Sequence, residues 1–275
     1  MTTPLTKIAA TLLAALGDKR QIAPITQGDP AFGLDAAYDV SDAVMAARVA
    51  RGERPAGWKI GFTNRLIWDQ YGVHAPIWGP VYDRTLIHAE GGDARPAVLS
   101  AAAFVEPLIE PEIVLRVARP LRSGMDDREL FGCIDAVGHG FEIVQSIYPG
   151  WRFAAADTVA AFGMHGALVC GPLARIGDAD EWLAALETFA ITLLRDGEAI
   201  DRGVAANVMG GPLQALRHFA AGLEARPMAR GIEPGDLVAT GTVTRAFPVQ
   251  DGETWSTRIE GLSLPGMAVT FRAAS

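Results

Sequence analysis

The 275-residue chain has only two cysteines, Cys133 and Cys170, with no CxxC spacing and no histidine pair beside either. A disulfide framework and a thiolate metal site are disfavoured, leaving two packing thiols in a reducing, cytoplasmic setting. Positive charge is also scarce. The balance of 24 Lys and Arg against 32 Asp and Glu gives a net charge of -8. No basic stripe is interleaved with aromatics, which argues against nucleic acid or an anionic membrane as partner. Long apolar runs are missing as well. The stretch from Ile8 to Gly17 is too short to span a bilayer and has neither a charged leader nor a small-residue cleavage site. No internal repeat or low-complexity tract is visible. What remains is a chain 49% hydrophobic, enough for a substantial core as one large or two modest domains, with a small molecule as partner.

Leu5, Ile8, Ala9, Leu12, Leu13 and Leu16 fall at helical spacing and predict a surface helix closed by Gly17. Leu34 to Ala50 reads as a second amphipathic helix ending at Arg51-Gly52. From Gly57 onward the pattern turns to strands. Ala75 to Pro80 is turn-rich, Val81 to Asp83 is extended, and Ala156 to Val159 reads as a loop leading into a strand at Gly163 to Val169. Asp196-Gly197 marks a hairpin, and Pro212 opens a helix over Leu213 to Ala225. With no regular βαβ alternation, the class is α+β, with a helical region over 1–56 and a strand-rich domain over 57–275.

Three places carry charge where an aliphatic strand is expected. In Phe104 to Val117, alternation sends Ile109, Ile113, Leu115 and Val117 to one face and Glu110 and Glu112 to the other. The two carboxylates either form a solvated acidic edge or hold a hard divalent cation that removes their repulsion. Lys59 stands between Trp58 and Ile60, either snorkelling to water or held against negative charge. Glu142 stands between Phe141 and Ile143, either facing outward or paired, because burying it unpaired is costly. His165, among small residues, suits a cavity wall or a satisfied core position.

Six segments in order, Gly57 to Thr63, Glu110-Pro111-Glu112, Gly140 to Val144, Asp157 to Ala160, Gly211 to Leu216 and Gly235 to Thr242, resemble the 2-keto-4-pentenoate hydratase/2-oxohepta-3-ene-1,7-dioate hydratase group. That group includes 4-oxalocrotonate decarboxylases and belongs to the fumarylacetoacetate hydrolase superfamily. The resemblance runs from about residue 34 to the C-terminus. It implies a mixed β-roll of the fumarylacetoacetate hydrolase C-terminal type, an N-terminal helical region and assembly as a homo-oligomer, a dimer or larger. It implies that Glu110, Glu112 and Glu142 bind Mg2+ or Mn2+ and that Lys59 is catalytic. Tyr82, His165, Thr240, Gly241 and Thr242 fall in segments that line the family's pocket.

The implied activity is metal-dependent addition of water to a short 2-hydroxy-2,4-dienoate, giving a 4-hydroxy-2-oxo acid in aromatic-compound catabolism. Two departures bear on it. Hydratases commonly carry Pro-Asp-(aromatic)-Gly where this chain has Pro76-Ile77-Trp78-Gly79, so the acid/base carboxylate is missing and the segment looks closer to the decarboxylase branch. The segment Asp157 to Gly163 also differs from many relatives, and Phe162 and His165 are expected to make a tighter, less polar pocket, with either His165 as a replacement acid/base or a substrate other than the simple pentadienoate. Decarboxylation of a 2-oxo acid is the second reading. Hydrolysis of an acylpyruvate C–C bond is a third, weakened by the lack of a short-spaced His-Glu pair. A ligand-binding protein on the same fold is the non-enzymatic alternative.

Overall fold

The computed structural model describes residues 4–65, 68–71, 73–226 and 230–273. Helix α1 (Pro4–Gly17) turns Ala9, Leu12, Leu13 and Ala15 inward. After the single turn α2 (Ile25–Gly28), α3 (Leu34–Ala50) packs beside it, and both join one apolar cluster with Trp58, Ile60, Ile113 and Leu115 of the sheet. The stripe read from spacing is therefore the face that covers the sheet.

The strands begin with β1 (Pro55–Gly61), followed by the short α4 (Trp68–Tyr71), β2 (Ile77–Tyr82), β3 (Leu86–His88) and β4 (Gly92–Leu99). Two long strands, β5 (Leu108–Val117) and β6 (Ile134–Val144), flank α5 (Asp127–Phe131). Then come α6 (Ala155–Ala160), β7 (His165–Cys170), β8 (Ala174–Arg175), α7 (Ala179–Thr188) and the hairpin of β9 (Ala190–Arg195) and β10 (Glu198–Val204). Helix α8 (Pro212–Glu224) precedes β11 (Leu237–Thr242), β12 (Phe247–Pro248), β13 (Thr254–Glu260) and β14 (Met267–Phe271).

Nine strands form a curled sheet in the order β2, β1, β11, β5, β6, β7, β3, with β12 added to β5 and β8 to β6. Five form a second sheet in the order β10, β9, β13, β14, β4. The sheets are mixed, since β1 with β11, β3 with β7 and β14 with β4 run parallel.

Alternation along β5 and β6 sorts the side chains. On the outer face, Ile109, Phe141 and Ile143 meet Trp255, Val269 and Phe271 of the second sheet, while Ile113, Leu115 and Val137 meet the helices. On the inner face, Val114, Leu168, Cys170, Leu237 and Ala239 fill one end of the curl. The same face carries Lys59, Glu110, Glu112 and Glu142, because these residues share register parity with that floor.

Three segments differ from the sequence reading. Ile77 to Pro80 is strand, not turn, because β2 lies at the edge of its sheet, where Pro80 can be accommodated without its N–H. Residues 155–160 are helical rather than a loop, the Asp157 carboxylate accepting from the Ala154 N–H at 2.9 Å and closing the first turn. Helix α7 has no counterpart in the sequence reading; Asp178 caps it by accepting from the amides of Asp180 and Glu181.

Candidate active site

Glu110 pairs across the sheet with Glu142, and Glu112 stands two residues further along the same face. The three carboxylates each bring one oxygen within 4.8 Å of the others. Glu112 and Glu142 are fully buried, and Glu110 faces a cavity of about 260 Å³. Two of the carboxylates are held by the fold. Glu112 Oε2 accepts from the Gly241 amide at 2.8 Å, Glu142 Oε1 accepts from His165 Nδ1 at 2.8 Å, and Lys59 Nζ lies 3.1 Å from Glu142 Oε2. That last approach is a charge contact without hydrogen-bond alignment, so Glu142 Oε2 has no hydrogen-bond partner. Neither has Glu112 Oε1.

These carboxylates cannot all be ionised on their own. Burial pushes Glu112 well above the usual carboxylate range, with Glu142 and Glu110 adding to the rise. Glu110 is pushed to about 7, mainly by burial and partly opposed by Lys59. Burial acts on Glu142 too, but Lys59 and His165 outweigh it and hold this carboxylate below its ordinary value. Burial likewise disfavours the Lys59 ammonium, yet Glu142, Glu110 and Glu112 together keep its pKa raised. Oxygen-only donors, a buried Glu112 oxygen with no partner and excess negative charge fit a hard divalent cation.

The backbone around this cluster is shaped for it. A register irregularity in β11 between Ala239 and Thr242 places Gly241 at φ +105°, which turns its amide toward Glu112. A β-carbon at Gly241 would fall 1.9 Å from Thr63 Oγ1. Lys59 Nζ also donates to the Gly163 carbonyl at 2.9 Å. That turn reaches the lysine because Gly79 leaves room for it: a β-carbon there would be 2.7 Å from the Phe162 carbonyl. Phe62, Trp151, Phe162 and Met164 all adopt left-handed φ around the cavity, a concentration of backbone strain typical of binding sites.

Lys59, Glu110, Gly241 and Thr242 therefore meet at the cavity, with Ile77 in its wall. Other residues expected there do not reach it. Tyr82 is buried beneath Arg48, whose guanidinium lies 3.8 Å from the ring centre, and it lines no part of the cavity. Thr240 is buried and donates to the Ile113 carbonyl. Phe162 is packed behind the wall, which Gly163 and Met164 supply instead. His165 spends both ring nitrogens, Nδ1 on Glu142 and Nε2 on Thr85 Oγ1 at 2.9 Å, and is absent from the lining. The expected imidazole in the pocket is thus a support for Glu142. It also makes a His-Glu contact that sequence spacing does not reveal, but one turned away from the cavity.

Sequence reasoning missed Gly163, Thr85, Leu108 and Val144. The period-two pattern that singled out Glu110 and Glu142 marks Leu108 and Val144 as well, two residues along the same face.

Residues 88–268 match the fumarylacetoacetate (FAA) hydrolase C-terminal family, and the chain belongs to it. Within that family it is 31% identical to 2-keto-4-pentenoate hydratase of Paraburkholderia phymatum over 259 residues, 93% of each chain. It is 28% identical to a 4-oxalocrotonate decarboxylase of Pseudomonas sp., covering 90% of this chain and 91% of the other. Among solved structures, 4-oxalocrotonate decarboxylase from Pseudomonas putida G7, complexed with magnesium and adipate, superposes with a TM-score of 0.87 over 97% of each chain at 26% identity.

Proposed function

We propose that the protein is a divalent-metal-dependent hydratase that adds water to a short 2-hydroxy-2,4-dienoate, giving a 4-hydroxy-2-oxo acid. The observation that carries this reading is the convergence of Glu110, Glu112 and Glu142 on one point beside Lys59, with Glu110 and Lys59 lining a cavity. Curated relatives named as hydratases across nearly the whole chain support it. Mg2+ or Mn2+ held by the three carboxylates supplies positive charge for the two oxygens at the 2-oxo acid end of the substrate.

The chain's own groups do the rest. Lys59 reaches the cavity with an ammonium fixed by Glu142 and the Gly163 carbonyl, and is the group placed to orient the substrate and move a proton. His165 keeps Glu142 in place, and the Gly241 amide does the same for Glu112. Overall the reaction converts the dienol to the conjugated 2-oxo-enoate by moving its hydroxyl proton to the far carbon, then adds OH at C4 and H at C3. Ile77 leaves the wall without the carboxylate that hydratases commonly carry there. That feature favours a second reading, decarboxylation of a 4-oxalocrotonate-type 2-oxo acid, which needs no activated water.

The test is incubation of the Mg2+-loaded protein with 2-hydroxypenta-2,4-dienoate, following loss of diene absorbance and appearance of 4-hydroxy-2-oxopentanoate. Activity should vanish with chelator and return with Mg2+. Carbon dioxide release from 4-oxalocrotonate, with no hydration of the pentadienoate, would replace the first reading by the second.

A further inference from the structure

Resting on the 2-oxo acid reading of the site, we infer that the cavity selects substrates whose far end is uncharged and apolar, a vinyl or short alkyl terminus, over those ending in a second carboxylate. The sheet itself provides the ruler. Glu110 and Glu142 are cross-strand partners, and the next inward-facing pair along the same strands, Leu108 with Val144, is aliphatic and lines the cavity. Two residues of strand span about 6.6 Å, comparable to the distance from the chelated end of a five- or six-carbon dienoate to its terminus. Trp151, Phe153 and Met164 also line the cavity. The Trp151 indole N–H is spent on the Glu106 carbonyl, so the ring offers the cavity no donor.

A second carboxylate needs a cation or several N–H or O–H donors, and burying it without them is costly. Among the described lining residues only Lys59 and Arg245 are cationic. Lys59 is committed to Glu142 and Gly163 at the opposite end. Arg245 is 73% exposed at the rim, its Nε is 3.2 Å from Asp201 Oδ2, and its guanidinium lies against Phe247. The hydroxyl protons of Thr158, Thr242 and Thr244 are donated to backbone carbonyls, which leaves those oxygens able to accept but not to donate. Thr63 stands beside Gly241, at the carboxylate-binding end. Among the described lining residues Asn64 carries the one side-chain amide, and it already has a partner. A terminal carboxylate would therefore sit against Leu108 and Val144 with no cation opposite it.

The experiment separates this inference from the reading beneath it. Calorimetric titration of the Mg2+-loaded full chain with 2-oxohexanoate and with 2-oxoadipate, neither of which can be hydrated, tests selectivity without turnover. The monoacid should bind at least tenfold more tightly. In parallel, kcat/KM for 2-hydroxyhexa-2,4-dienoate should equal or exceed that for the pentadienoate, with the ω-carboxylated dienoate at least tenfold below both. Arg245→Gln should leave the ratio of monoacid to diacid unchanged, and Leu108→Arg should narrow it. Equal or tighter binding of 2-oxoadipate overturns the inference, as does a selective loss of diacid binding in Arg245→Gln. Selective monoacid binding with no dienoate turnover would keep the inference and remove the hydratase. Absence of binding by either acid removes both.

Discussion

Lys59 and His165 both touch Glu142, yet only one of them faces the cavity, and that difference fixes what each substitution should do. Lys59→Met is expected to lower kcat by about 10²–10⁴-fold, the usual range for loss of a proton-moving group. Metal affinity should be kept or raised, since a cation leaves the side of three carboxylates. Isothermal titration with Mn2+ beside steady-state kinetics checks both halves. His165→Ala should instead weaken metal binding by about 10–100-fold, the range for loss of a group that orients a ligand, with much of the activity returning at saturating Mg2+. Lost turnover at unchanged metal affinity would show that the imidazole acts on substrate directly. At this scale the sequence was informative where charge broke an aliphatic pattern, as at Lys59, Glu110, Glu112 and Glu142. It misled where a segment's closeness to the pocket was taken for contact. Tyr82 and His165 belong to such segments, but strand parity turns Tyr82 away from the cavity and hydrogen bonds to Glu142 and Thr85 hold His165 out of its lining.

Strand β6 carries a further buried group, His139, whose Nδ1 lies 2.9 Å from the Glu112 carbonyl and whose Nε2 lies 2.8 Å from Thr257 Oγ1. Burial lowers its pKa to about 4. The folded protein then binds fewer protons at this site than the unfolded chain between about pH 6.5 and 4, so the contribution is present above 6.5 and lost as pH falls through that window. About 3 kcal/mol is the ceiling for a shift of that size. Chemical denaturation of the wild type and His139→Gln across this range should show a shallower pH slope in the variant. A parallel pair of slopes would mean that His139 does not stay neutral in the fold. In β11, Gly241→Ala should cost at least about 1–3 kcal/mol, because alanine meets both the left-handed φ and the Thr63 side chain. Elements built on periodicity or local turn chemistry were legible: α1, α3, the β9–β10 hairpin and α8 all fall where spacing placed them. Helix α6 was not, because Asp157 is also held from a distance, accepting from the amide and hydroxyl of Thr26.

For the whole molecule, a cation that binds three converged carboxylates binds the folded chain far better than the unfolded one. At a hundredfold excess over Kd the stabilisation is about 2.7 kcal/mol, which for a chain of this size raises Tm by roughly 5–10 °C. Differential scanning calorimetry with Mg2+, and again after chelation, measures it; a Tm indifferent to both would mean that the carboxylates hold no metal. The arrangement that makes this possible is the least legible part of the sequence. Lys59 and the Gly163 carbonyl are 104 residues apart, and β1 lies beside β11 in parallel, a pairing with no local signature that only resemblance to a family could anticipate. The borders of the two sheets have a consequence of their own. Pro80 sits in β2 and Pro96 in β4, β3 is three residues long, and β10 carries Glu198, Asp201 and Arg202. Each outermost strand is thereby a poor template for adding another chain. Copies of this protein that associate are therefore steered toward side-chain surfaces, and folded molecules at high concentration are guarded against zipping edge to edge.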